Sequence, residues 1–238
     1  MSKLDKKIIS IAIIAIMMVM NLMPVVSYAA TTDDIIKDPI LKKEFLDENK
    51  DGKISKDEVE NCHCLTIEEG VKDLSGLEYL TKLYEISYYY DGTTIDFSPV
   101  VKENITFFNI HVKPGITKVN FDFLKDFSNV EFLNIYAENK AKIDLSEIEE
   151  YSNIKDLCIN NIEVENLNNI SKLTNLEYLS VDNFEQEIFT IDLTGIEKLT
   201  KLTGIYFDNV NIKNVNTIGK LLNLENLQLR NCKRICRC

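Results

Sequence analysis

Apolar and polar positions along this chain fall into one recurring frame. Between Leu173 and Asn183 the apolar residues stand at Leu173, Leu176, Leu179 and Val181, and Asn183 follows two places later. The last three apolar positions of this L-x-x-L-x-x-L-x-L frame return as Leu83/Ile86/Tyr88, Phe107/Ile110/Val112, Val130/Leu133/Ile135, Ile154/Leu157/Ile159, Leu176/Leu179/Val181, Leu202/Ile205/Phe207 and Leu224/Leu227/Leu229. Their middle members advance by 24, 23, 24, 22, 26 and 22 residues. Seven copies at this period predict a solenoid of stacked coils.

The alternation within each frame is that of a strand with one buried face. In the fifth copy Leu176, Leu179 and Val181 point inward, and Tyr178, Ser180 and Asp182 point out. Asn161, Asn183, Asn209 and Asn231 mark turns after the strands. A second apolar set (Leu167, Ile170, Leu173; Ile196, Leu199; Val215, Ile218, Leu221) then lines the return path. One coil cannot enclose its own apolar face, so neighbours must bury it. The fold class expected is an α/β repeat solenoid, a leucine-rich-repeat arc with a concave parallel β-sheet and a small helical cap at the N-terminal side. Amphipathic helices of an ordinary α/β domain are the alternative, but helical spacing would not preserve one frame seven times.

The segment Asp47 to Glu58 matches a twelve-residue EF-hand loop. Oxygen-bearing side chains stand at positions 1, 3, 5, 9 and 12 (Asp47, Asn49, Asp51, Ser55 and Glu58), and Lys53 at position 7 needs to offer only its carbonyl. Gly52 occupies position 6, where the chain turns sharply, and Glu58 is placed for bidentate ligation. Such hard oxygen donors suit Ca²⁺, at an affinity of about 10⁻⁴–10⁻³ M for an extracellular module. Asp38 and Pro39 are positioned to cap and open a helix with Ile40, Leu41 and Phe45 on its apolar face. Ser55 and Glu58 also fit a capping box, so a polar helix-turn-helix is the competing reading. No second loop is available to pair with Ile54 at position 8, which must pack on the first repeats. The ion's expected role is structural, in a unit over Asp38–Asn61 that covers the end of the solenoid.

The repeats resemble those of internalin-like surface proteins of low-GC Gram-positive bacteria. The resemblance is carried by Leu74-Ser75-Gly76-Leu77-Glu78-Tyr79-Leu80-Thr81-Lys82-Leu83 and its echo from Ile170 to Leu179, and it covers about residues 70–231. It departs from the usual pattern in the second copy, where Pro99 interrupts the approach to the strand. An EF-hand-type unit leading into such repeats also resembles a class of clostridial secreted proteins. The resemblance implies a secreted or surface location and a protein partner on a host or neighbouring cell.

The N-terminus reads as a secretory leader. Lys3, Lys6 and Lys7 precede the apolar run from Ile8 to Met20, and Ser27-Tyr28-Ala29 supplies small residues for cleavage after Ala29. An uncleaved membrane anchor is the alternative, since residues 8–30 carry no charge. The organisation expected is a signal peptide over 1–29, a calcium-binding cap over 30–64, repeats over 65–231 and a cysteine-rich tail over 232–238. The chain of 238 residues carries a net charge of −11. Loss of the leader removes a net +2 and makes it about −13. That balance argues against a nucleic-acid partner.

Six cysteines in a secreted chain suggest disulfides. However, Cys62 and Cys64 start the solenoid and Cys232, Cys236 and Cys238 end it, roughly 29 Å away at ~4.8 Å per strand, which is too far to bridge. Cys158 faces outward alone. Cys62-His63-Cys64 lacks a fourth metal ligand, and His111 needs no special role. No catalytic constellation is present, so a non-enzymatic protein is expected.

The outward strand positions form the expected binding face. Tyr84, Phe132, Tyr136, Tyr178, Asp182, Tyr206 and Asp208 are its candidate partner-binding residues. Tyr84, Phe108, Phe132, Tyr136, Tyr178 and Tyr206 would leave sizeable apolar area in water, and exposed aromatics beside polar groups suit protein recognition. A cell-envelope structural or carbohydrate-binding role, or a truncated remnant suggested by the basic tail, are the other readings.

Overall fold

The computed structural model describes residues 33–146, 151–184 and 188–235. The expected leader lies outside them, as do Cys236 and Cys238. Eleven strands follow one another among the described residues: β1 (Cys64–Ile67), β2 (Glu85–Tyr90), β3 (Phe107–Val112), β4 (Phe132–Asp144), β5 (Asp156–Glu165), β6 (Tyr178–Asp182), β7 (Thr190–Asp192), β8 (Gly204–Asp208), β9 (Asn211–Lys213), β10 (Asn226–Arg230) and β11 (Lys233–Ile235). One parallel sheet takes the order β1-β2-β3-β4-β5-β6-β8-β10, and a smaller one the order β11-β9-β7. Parallel neighbours require the chain to return across the back of each coil.

The register stacks Leu65, Ile86, Phe108, Leu133, Leu157, Leu179, Ile205 and Leu227 in one inward ladder. Ile67, Tyr88, Ile110, Ile135, Ile159, Val181, Phe207 and Leu229 form a second. All are buried except Leu227 and Leu229 in the last coil, which are 47% and 39% exposed. Leu133, Leu157 and Leu179 thus share one interior, as the alternating frame requires. An eighth inward pair, Leu65 and Ile67, precedes the seven copies read from the sequence.

The second copy is displaced from the expected frame. Ile86 pairs with Phe108 and not with Ile110, so the frame there is Ile105/Phe108/Ile110 and the steps around it become 22 and 25 residues. Phe108 is therefore fully buried, not part of the binding face, and Phe107 takes the outward place. The cause lies in the irregular approach through Pro99. There Phe97 packs edge-on against Tyr88 at 5.5 Å and Phe127 at 5.4 Å, filling the interior with rings instead of a leading leucine.

The back of the coils is built from short 3₁₀ turns, among them Leu77–Tyr79, Leu167–Lys172, Ile196–Lys198 and Val215–Lys220. In a 3₁₀ turn residues three apart eclipse, which puts Leu167 over Ile170 and Ile196 over Leu199 on the buried side. Each of these four turns is entered through a left-handed residue: Gly76, Asn166, Gly195 and Asn214. Only Gly and Asn tolerate that conformation readily.

A further ladder stands just before the leading apolar residue of each coil. Asn104, Asn129, Asn153, Asn175 and Asn223 donate from Nδ2 to the carbonyls of Thr81, Glu103, Ser128, Ser152 and Thr200, at 2.6–3.0 Å. Where lysine replaces asparagine the ladder persists: Lys82 Nζ donates to Asn61 Oδ1 at 2.8 Å and Lys201 Nζ to Asn175 Oδ1 at 2.7 Å. The asparagine bonds satisfy backbone acceptors between coils, and the lysine bonds tie neighbouring rungs through side chains.

The segment before β1 belongs to the same apolar interior: Ile35, Ile36, Leu41, Ile54 and Val59 join its core. The helix expected from Asp38 is a 3₁₀ turn over Leu41–Glu44, yet Asp38 Oδ1 still accepts the N–H groups of Ile40 and Leu41, at 2.8 and 3.1 Å. Ile54 finds its partner in the segment that precedes the loop. Ile35 N–H donates to the Ile54 carbonyl at 2.8 Å, and Ile54 N–H donates to Asp34 Oδ1 at 3.0 Å.

Candidate functional site

Three outward rows cross the sheet, one residue per strand. The first carries Glu85, Phe107, Phe132, Asp156, Tyr178 and Gly204. Phe107 and Phe132 stack at 4.1 Å between ring centroids and 4° between planes, and Tyr84 meets Phe107 edge-on at 6.1 Å. Tyr84 is 40% exposed, while Phe107 and Phe132 are half-buried. Parallel strands about 4.8 Å apart impose this spacing, so the rings are held without any further device. Further along the row Tyr178 lies across Gly204. A Cβ at Gly204 would stand 2.5 Å from Tyr178 Cδ2, so the missing side chain makes room for the ring.

The second row is a polar seam. Asn109 Nδ2 donates to Glu85 Oε1 at 2.9 Å and to Ser87 Oγ at 3.2 Å, and Asn134 Nδ2 donates to Asn109 Oδ1 at 2.8 Å. Cys158 continues it as a half-buried free thiol whose pKa burial lifts to about 11. The thiol is protonated at neutral pH and is not a nucleophile there. Cys62, Cys64 and Cys232 are likewise free.

The third row runs Tyr89, His111, Tyr136, Asn160, Asp182, Asp208 and Arg230. His111 stacks on Tyr89 at 4.6 Å and 10° and meets Tyr136 edge-on at 6.2 Å. Burial lowers its pKa, against the opposing pull of Glu68 and Glu138, which favours the neutral ring. Beside these rings is a shallow hollow bounded by Glu68, Glu69, Lys113 and Glu138. At the other end Tyr206 Oη donates to Asp208 Oδ2 at 3.1 Å, and Asn231 Nδ2 donates to Asp208 Oδ1 at 2.9 Å. The Arg230 guanidinium lies over the Tyr206 ring, 5.5 Å from its centroid. Asp182 is not an exposed residue as its outward position suggested: it is 8% exposed, and Oδ1 has no hydrogen-bond partner. Burial and then the neighbouring Asp208 raise its pKa.

The oxygen-rich loop has an ordered turn. Gly52 has φ +79°, and its N–H donates to Asp47 Oδ2 at 2.8 Å. Asp51 N–H donates to Asn49 Oδ1 and Lys53 N–H to Asp51 Oδ1, each at 2.8 Å. Glu58 is drawn into the capping box: it accepts from Ser55 N–H and Ser55 Oγ, both at 2.8 Å, and from Glu48 N–H at 3.0 Å. The donors present are all oxygens, which fits a hard cation. Among the described residues, however, no three Asp, Glu, His or Cys side chains converge on one metal position. Glu58 Oε2 is taken up by Ser55 and Oε1 by Glu48 N–H.

Sequence reasoning missed Phe107, the pairing of Tyr178 with Gly204 and the unpartnered state of Asp182. The Asn/Lys ladder did leave a signal, an Asn or Lys immediately before each leading apolar residue.

No protein-family model matches the chain, and no curated protein is similar to it. Among solved structures it is similar to internalin C2 of Listeria monocytogenes, at 23% identity and a TM-score of 0.58, over 85% of this chain and 88% of that one. The internalin InlF of the same organism aligns at 15% identity and a TM-score of 0.39, over 77% and 85%. The functional domain of its InlJ aligns at 16% and 0.36, over 78% and 57%. Taken with the register and the coil period, the likeness to internalin C2 shows that this chain has the leucine-rich-repeat solenoid fold.

Proposed function

We propose that this protein is a secreted, non-enzymatic binding module that holds a protein partner on the outward face of its eight-stranded sheet. The observation that carries the reading is the Phe107–Phe132 stack with Tyr84 against it. Rings left partly in water on rigid strands supply contact area at little ordering cost, the character of interface hot spots. The extracellular setting rests on the leader read in residues 1–29. A Ca²⁺ ion bound by Asp47, Asn49, Asp51, Ser55, Glu58 and the Lys53 carbonyl would stiffen the segment that packs on the first coil, at the cost of the Glu58–Ser55 contact.

The test is capture from a preparation of cell-surface proteins by the full chain. A second bait carries Tyr84→Ala, Phe132→Ala, Tyr178→Ala and Tyr206→Ala, with its melting checked. The expected outcome is a partner retained by the first bait and at least tenfold depleted on the second. Equal retention by a folded variant would remove the sheet face from the reading. Retention of wall polysaccharide in place of protein would transfer the face to an envelope role.

A further inference from the structure

We propose that the partner presents an extended basic segment that crosses the strands along the third outward row, with a guanidinium or ammonium group seated at Asp182 and Asp208. The proposal rests on the sheet face being the docking surface and names the chemistry of what docks there.

Asp182 is the starting point. It is more than nine-tenths buried, and its Oδ1 has no hydrogen-bond donor. A carboxylate removed this far from water is costly to keep charged unless a cation or donors compensate it. The chain compensates it only in part: the Asn183 backbone N–H and the charge of Arg230 favour the carboxylate, but burial and the neighbouring Asp208 outweigh them. Asp208, paired with Asp182 in register, adds a second negative charge and is itself satisfied by Tyr206 and Asn231. Arg230 on the next strand is turned to Gln228, donating from its guanidinium at 3.2 Å, and lies against Tyr206. A cation brought over Asp208 would offset the charge of both carboxylates through space, without contact with Asp182 Oδ1, which is covered from solvent.

The rest of the row favours the same chemistry. At the β2–β4 end, aromatic rings stand beside Glu68 and Glu138. Ring faces and carboxylates together attract a Lys or Arg side chain. From Tyr136 to Asp182 is two strand steps, about 10 Å, and from Tyr89 to Asp208 five steps, about 24 Å. An extended segment covers the longer span with about seven residues, so two basic residues some three to seven positions apart reach both ends. The net charge of −11 adds long-range attraction for a basic partner and repels an acidic one.

The experiment selects peptides from a phage-displayed random twelve-residue library on the immobilised full chain. Synthetic versions are then measured by fluorescence anisotropy. The expected result is enrichment of sequences with two or more Arg or Lys at that separation. Affinity should fall tenfold or more with Asp182→Asn, and equally when citrulline replaces the critical Arg of the peptide. Melting of Asp182→Asn should be unchanged or higher, because the variant loses an uncompensated charge. A selection that returns no basic sequences overturns the proposal. So do peptides that lose binding in Phe132→Ala and Tyr178→Ala but ignore Asp182→Asn, although these leave the face as the docking surface. Peptides indifferent to all face variants overturn both readings.

Discussion

The carboxylate of Asp38 accepts the backbone N–H of Lys72 through Oδ2 at 2.9 Å, joining the segment that carries the oxygen-rich loop to the first coil. The same oxygen takes Asp73 N–H at 3.3 Å, and Oδ1 takes Ile40 and Leu41. Burial by itself raises the pKa of this group. The N–H groups of Lys72, Leu41, Ile40 and Asp73 outweigh it, and the net shift is downward. A lowered folded pKa means that the stabilisation is fully present above the unfolded value of about 3.9 and is lost as pH falls through the folded value. Asp38→Ala strands buried donors and should cost about 1–3 kcal/mol at neutral pH. Urea denaturation from pH 7 downward should show the gap between wild type and variant closing below pH ~4. A gap that stays constant over that range would count against the assignment.

Phe107 and Phe108 are neighbours in sequence with opposite roles. Phe108→Ala should cost about 3–5 kcal/mol, because it empties a fully buried site. Phe107→Ala removes one half of the stack with Phe132 and should cost about 0.5–1.5 kcal/mol. Chemical denaturation of the two variants orders them. The reverse order would restore the frame first read from the sequence.

Gly204→Ala places a methyl group where the Tyr178 ring lies. Overpacking of this kind costs about 1–3 kcal/mol, and here the ring can relieve part of it by swinging off the sheet. The expected outcome is a small drop in melting temperature with a large change in the Tyr178 ring resonances by NMR. Unchanged resonances would mean that the ring does not rest on Gly204.

The oxygen-rich loop predicts a calcium-dependent melt. With an affinity of about 10⁻⁴ M, 10 mM calcium is 100 times the dissociation constant and adds about 2.7 kcal/mol to the folded state. Asp47→Ala combined with Glu58→Ala should abolish that increment and lower the melting temperature in calcium. Calorimetry with calcium and with a chelator separates the cases. A double variant that still melts higher with calcium would refute the loop as the site.

Leu133, Leu157 and Leu179 were legible as interior residues because alternation and a period near 23 residues can be read on one strand of text. The turn at Gly52 was legible for the same reason, since a twelve-residue loop is local. The second copy was not. Its leading position is held by Ile105 after an irregular approach, and only pairing with Ile86 settles which of Phe107 and Phe108 faces in. Ile54 shows the same limit, because its partner Ile35 lies nineteen positions earlier in the chain.

By itself, then, the sequence determined that this protein is a stack of coils with one face of alternating residues turned outward, since a coil of this length cannot bury its own leucines. The tertiary structure alone decided which outward side chains act together. Phe107 meets Phe132, Tyr178 rests on Gly204 and Asp182 is sealed beside Asp208 across spans of 25–26 residues. Such contacts depend on the register between coils, which is set by how neighbouring interiors pack and not by any local pattern.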